Sequence, residues 1–71
     1  MNSNFKTWIM INYIKILKIE AWQNNDMVHP LTCGNDSNHK KLIPIENDGK
    51  VILGCVDCNY IQSYIPKVVL K

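Results

Sequence analysis

Two hydrophobic rhythms divide the chain. Residues 5–22, FKTWIMINYIKILKIEAW, are dense in isoleucine and aromatics and hold neither glycine nor proline. Asn12, Lys15 and Lys18 recur every three residues as a narrow polar stripe, the interval of a helix face. Strand-like alternation holds at Ile14-Lys15-Ile16 but fails at Trp8-Ile9-Met10-Ile11 and at Ile16-Leu17. Length and the lack of breakers predict an amphipathic helix of about 15 residues, packed on the rest of the domain or on a neighbour. Asn12, Lys15, Lys18 and Glu20 interrupt the run before it reaches the roughly 20 apolar residues of a membrane span. Neither the basic start nor the small-residue cleavage site of a signal peptide is seen. Lysines flanking apolar residues also suit a helix lying at a membrane surface, but the membrane is not the expected partner.

The composition changes at Asn24-Asn25-Asp26, and every Cys, His, Gly and Pro lies beyond that point. A compact domain could begin at Met27. The expected organisation is therefore residues 1–26 as an N-terminal helix or an extension of little structural duty, and residues 27–71 as the folded domain. From Leu42 onward the pattern is β. Residues 42–45 form a short apolar run in which Pro44 marks an edge strand or a strand end. Glu46-Asn47-Asp48-Gly49 is a hairpin turn signal, because Asn, Asp and Gly tolerate positive φ. Residues 50–54 supply the returning strand. Residues 60–66 read as a third, with Tyr60, Gln62 and Tyr64 on one face and Ile61, Ser63 and Ile65 on the other.

Two loops between these strands carry the candidate chemistry. In the first, Cys33 and His39 are separated by five residues; in the second, Cys55 and Cys58 are separated by two. The fifteen residues between His39 and Cys55 suffice for one hairpin that folds both loops back to the same end. Three cysteines cannot pair off as a disulfide set, but with one histidine they complete the tetrahedral shell that structural zinc requires. A tight Cys-x-x-Cys turn aims backbone N–H groups at its thiolates. Gly34 and Asn59, which follow ligands, suit the unusual backbone conformations such turns demand. His29, four residues before Cys33, is the rival fourth ligand; His39 is preferred because it ends a polar loop able to curl around an ion. Buried thiols without a metal are the plain alternative, but all three cysteines sit in turn-like surroundings rich in Gly, Asn and Asp. A redox Cys-x-x-Cys should open a helix in a βαβ setting, and iron in a four-thiolate site would leave no place for His39.

Residues 31–66 resemble a zinc ribbon, a small domain with two ligand-bearing loops and a three-stranded sheet. The resemblance rests on Cys55-Val56-Asp57-Cys58 with Asn59 behind it and Asn47-Asp48-Gly49 ahead of it. The first loop departs from the ribbon pattern, since its spacing is five residues rather than two. The expected fold is a small metal-bound α+β domain, a three-stranded antiparallel zinc-ribbon-like sheet preceded by an N-terminal helix. Zinc is the expected cofactor, held by Cys33, His39, Cys55 and Cys58. The resemblance also implies an accessory role in nucleic-acid machinery, in transcription or replication.

A chain of 71 residues has room for one domain with a core that is marginal without a staple. The formal net charge of +2 names no partner. All eight cations are lysine and none is arginine, which disfavours sequence-specific duplex readout and leaves weak phosphate contacts. Ten isoleucines and nine asparagines without an arginine fit an AT-rich coding sequence of the kind found in viruses, a remark that carries no mechanism. Lys40, Lys41, Lys50 and Lys67 are the candidate phosphate contacts, and Tyr60 and Tyr64 the candidate stacking platforms for single-stranded bases. For docking on a larger protein or nucleoprotein assembly, Trp8 and Trp22 are the candidate anchors. No small-molecule substrate is expected. Neither histidine begins a His-x-Glu motif, so a deaminase-like site is not expected and the chain reads as non-enzymatic. Free thiols kept as metal ligands place it in a reducing, cytoplasmic compartment.

Overall fold

The computed structural model describes residues 3–71, with side chains described from residue 9 onward. A helix, α1 (Ser3–Gln23), precedes a sheet of β1 (Ile43–Asn47), β2 (Lys50–Gly54) and β3 (Ile61–Gln62), and a 3-10 turn (Lys67–Leu70) follows. The sheet is antiparallel with order β1-β2-β3, so the expected α+β arrangement is what the chain adopts.

The hairpin between β1 and β2 closes through two residues. Asn47 pairs with Lys50, and Asp48 and Gly49 both take positive φ, 52° and 79°. That combination matches the right-handed twist of the flanking strands, and Asp-Gly is the pair that adopts it at least cost. The third strand is shorter than the alternation of residues 60–66 suggested. Only Ile61 and Gln62 pair, opposite Gly54 and Leu53. Just past them the Gln62 amide donates to the Tyr64 carbonyl at 2.8 Å, which turns the chain out of the ladder and sends Ile65 and Val69 toward the core.

α1 is longer than expected, 21 residues, and it lies over the sheet with its polar stripe inward. Asn12 is buried and its amide donates to the Glu46 carboxylate and the Gly49 carbonyl, both at 2.9 Å. The Lys18 ammonium donates to the Leu70 carbonyl at 2.9 Å. Buried Gln23 donates to the carbonyls of Leu31 (2.8 Å) and Leu42 (2.7 Å) and accepts the Leu31 N–H at 2.7 Å. Short elements leave carbonyls unpaired at their ends, and a covered carbonyl without a partner is costly. These side chains supply the partners, which is why the stripe faces the sheet instead of solvent. In return the Lys41 ammonium reaches the Gln23 carbonyl at the helix end, at 2.8 Å.

The apolar core is small. Ile19 of α1 packs with Leu42, Val51, Leu53, Val69 and Cys33, all buried. Half-buried Ile16, Trp22, Leu31, Tyr60 and Ile65 close around them. Met27, where a compact domain could have begun by sequence, is 90% exposed, and fully buried Ile19 lies upstream of it. Helix and sheet therefore share one core.

Candidate metal centre

The two loops that flank the sheet bring Cys33, His39, Cys55 and Cys58 together, with one donor atom from each within 4.8 Å of the others. Each loop enters the site in the same way. The Asn35 N–H points at the Cys33 sulfur (3.3 Å) and the Asp57 N–H at the Cys55 sulfur (3.4 Å), the pattern of a thiolate-binding turn. In the second loop the residue three past the first cysteine is Cys58. In the first it is Asp36, and the chain runs on to His39 for its second donor.

Asp36 then serves that histidine. Its carboxylate accepts the Asn38 N–H at 2.9 Å, its carbonyl accepts the His39 N–H at 3.1 Å, and Oδ2 stands 3.7 Å from His39 Nε2. His39 Nδ1 is left 3.5 Å from the Cys55 sulfur. The loops are also tied to each other, because Asp57 accepts the Lys40 N–H at 2.8 Å, and the second loop is closed on itself by the Cys55 N–H, which donates to the Tyr60 carbonyl at 3.0 Å.

These distances suit a tetrahedral ion. Zinc–sulfur bonds of about 2.3 Å and zinc–nitrogen bonds of about 2.0 Å give tetrahedral edges of about 3.8 Å between sulfurs and about 3.5 Å between sulfur and nitrogen. The Cys33 and Cys58 sulfurs are 3.5 Å apart, and Cys55 Sγ to His39 Nδ1 is also 3.5 Å. Electrostatics agree with the donor set. Burial pushes the Cys33 thiol up, but N–H groups of Asn35 and Asp36, with His39 and Cys58, outweigh it and bring the thiol down to about 6. The Cys33 and Cys58 thiols raise the pKa of His39. Burial raises that of Cys55. Four side chains able to donate electron pairs, three of them sulfur, could hold a metal ion. Zinc would be held by Cys33, Cys55 and Cys58 through sulfur and by His39 through Nδ1.

Two details of the loops differ from expectation. Asp48 is the one residue other than glycine with positive φ among the described residues, so Asn59 is not left-handed. Gly34 is not needed for backbone freedom either; it makes room for a ring, since a Cβ there would lie 2.6 Å from Tyr60 Cε1. Sequence reasoning also passed over Asp36 and Asp57, whose spacing from His39 and Lys40 becomes meaningful only once the loops meet.

The remaining candidates are dispersed. Tyr60 is half-buried, leans over Gly34 and donates its hydroxyl to Gln62 at 2.9 Å, while Tyr64 lies beyond β3 and is 68% exposed. Lys40, Lys50 and Lys67 are exposed, on the first loop, β2 and the 3-10 turn. Lys41 is exposed as well, but its ammonium is engaged at the end of α1. His29 is exposed and outside the cluster. Trp22 is half-buried against the core, with its indole N–H on the His29 carbonyl at 2.9 Å. The Trp8 side chain lies outside the described residues. No helix among the described residues is long and apolar enough to cross a membrane. Comparison of the chain with known protein families, curated proteins and solved structures finds no match.

Proposed function

We propose that this protein is a non-enzymatic module built around one structural zinc ion, and that it works by contact with a larger protein or nucleoprotein assembly. The convergence of Cys33, His39, Cys55 and Cys58 within 4.8 Å carries the reading. Four protein donors close a tetrahedral shell and leave no position for the water that a hydrolytic zinc site activates. The imidazole among the donors favours zinc over iron, whose ribbon-like sites prefer four thiolates. Elemental analysis of protein kept reduced should find one zinc per chain; substoichiometric metal would remove the basis of the proposal.

Protein contact is supported by the outer surface of α1, where Met10, Tyr13, Ile14 and Leu17 stand exposed. Nucleic-acid contact is supported by the resemblance to zinc ribbons and by exposed Tyr64 with Lys40, Lys50 and Lys67. Salt separates the two. Binding to single-stranded oligonucleotides that weakens steeply with salt supports the nucleic-acid setting. Capture of a protein other than this chain, indifferent to salt, supports protein contact.

A further inference from the structure

With Asn12 committed to the β1–β2 hairpin, Lys18 to the 3-10 turn and Ile19 to the core, α1 turns an apolar face to the outside. Met10, Ile14, Leu17 and Ala21 follow one another at intervals of four, three and four residues and are all exposed. This is the spacing of a two-heptad seam, the arrangement by which one helix receives another. Tyr13 stands beside the seam, and Ile9 and Ile11 flank it. We infer that two copies of the chain pair through this face, helix against helix and antiparallel, independently of what the metal centre holds.

Side-chain size selects the antiparallel arrangement. In a parallel pair each seam residue meets its own copy, so Ala21 faces Ala21 across a gap and Met10 crowds Met10. Run antiparallel, Met10 of one copy fills the space left by Ala21 of the second at each end, and two Ile14–Leu17 layers of matched size lie between them, as close packing requires. Tyr13 and Glu20 complete the match. They are seven residues, about two helical turns, apart, on the same edge of the seam, and both are exposed. Antiparallel pairing brings the phenol of one copy beside the carboxylate of the other, twice by symmetry. The same Glu20 argues against a bilayer as the occupant, since it would carry a carboxylate into an anionic lipid surface.

Area sets the strength. Six large apolar side chains on this helix, Ile9, Met10, Ile11, Tyr13, Ile14 and Leu17, are exposed by 45–62%. Together they offer on the order of 500 Å², within the range in which a single patch marks an interaction site. Paired with itself, such a face buries on the order of 1,000 Å², the lower bound for specific association. The helix is already held by its own domain, so pairing carries no cost of folding it. A reversible dimer is expected, not an obligate one.

Sedimentation velocity of the full chain, from low micromolar to near-millimolar concentration, tests this. A concentration-dependent monomer–dimer equilibrium is expected. Leu17→Glu should leave the chain monomeric throughout the range with its amide spectrum otherwise preserved, because Leu17 lies outside the core. Ala21→Met should weaken the dimer roughly tenfold by overfilling the space opposite Met10. A chain monomeric at near-millimolar concentration, or a dimer that Leu17→Glu leaves intact, overturns the inference. Strengthening by Ala21→Met overturns the antiparallel arrangement. A monomer whose helix instead binds phosphatidylglycerol vesicles overturns the second copy as occupant.

Discussion

Which nitrogen His39 offers is decided by its neighbours. Asp36 stands on the Nε2 side and the thiols on the Nδ1 side, so His39→Ala removes a donor that His29, outside the cluster, cannot replace. In metal competition His39→Ala should lose at least about 100-fold in zinc affinity, more than the typical loss of an outer-shell group, while His29→Ala should lose almost nothing. Reversed effects would show that His29 holds the metal. The titration of the same groups predicts the pH response. Held near 6, Cys33 is largely a thiolate in neutral solution, whereas Cys55 is raised above 9.0 and His39 above 6.5. Near pH 6 both Cys55 and His39 carry protons that zinc must displace, so affinity falls as pH drops. Calorimetry in buffers of different ionisation heat should detect proton release at that pH. An absence of proton release would refute the donor assignment.

Among the elements, α1 decides whether the sheet has a core at all. Ile19 is fully buried against Leu42 and Leu53. Ile19→Ala should cost about 2–5 kcal/mol in chemical denaturation of the zinc-loaded protein, whereas Ile14→Ala, outside the core of the single chain, should stay within about 0.5 kcal/mol at concentrations where the chain is monomeric. Gln23→Leu tests the polar contacts. It strands the Leu31 N–H and the Leu42 carbonyl, each of which costs about 1–3 kcal/mol when left unpaired, while the Leu31 carbonyl keeps the Leu42 N–H at 3.0 Å. If Ile14→Ala proved as damaging as Ile19→Ala, the helix would be rotated from the orientation described. A chain begun at Met27 lacks both Ile19 and Gln23, so its sheet should show little amide dispersion even with zinc present.

Across the whole molecule, the core and the metal centre are one structure. Cys33 is a donor and also one of the six buried hydrophobic residues of the cluster, and half-buried Cys55 and Cys58 pack against it. A domain this small is marginal on burial alone, and apparent zinc-binding free energies of roughly 10–16 kcal/mol in small metallo-domains are large enough to decide so close a balance. A strong chelator at neutral pH should therefore collapse the amide dispersion of residues 43–62, and added zinc should restore it. Dispersed resonances that persist in the chelated protein would show that α1 and the core hold the sheet unaided.

Local chemistry made much of this legible in the sequence. The hairpin at Asp48-Gly49 and the four donors could be read because turn geometry and ligand spacing act over a few residues. The helix could be read because nothing in residues 5–22 breaks it. Its orientation could not. Periodicity shows Asn12 and Lys18 as a polar stripe but not where it faces; they are drawn inward by the carbonyls of Gly49 and Leu70, more than thirty residues away in sequence. β3 was overextended for the same reason, since the Gln62–Tyr64 contact competes with a ladder that alternation alone would continue. The roles of Asp36, Asp57 and Gly34 likewise emerge only where the loops meet. A sequence pattern records which residues prefer water; it does not record which distant carbonyls will need a donor once the chain has folded, and that need turned the helix.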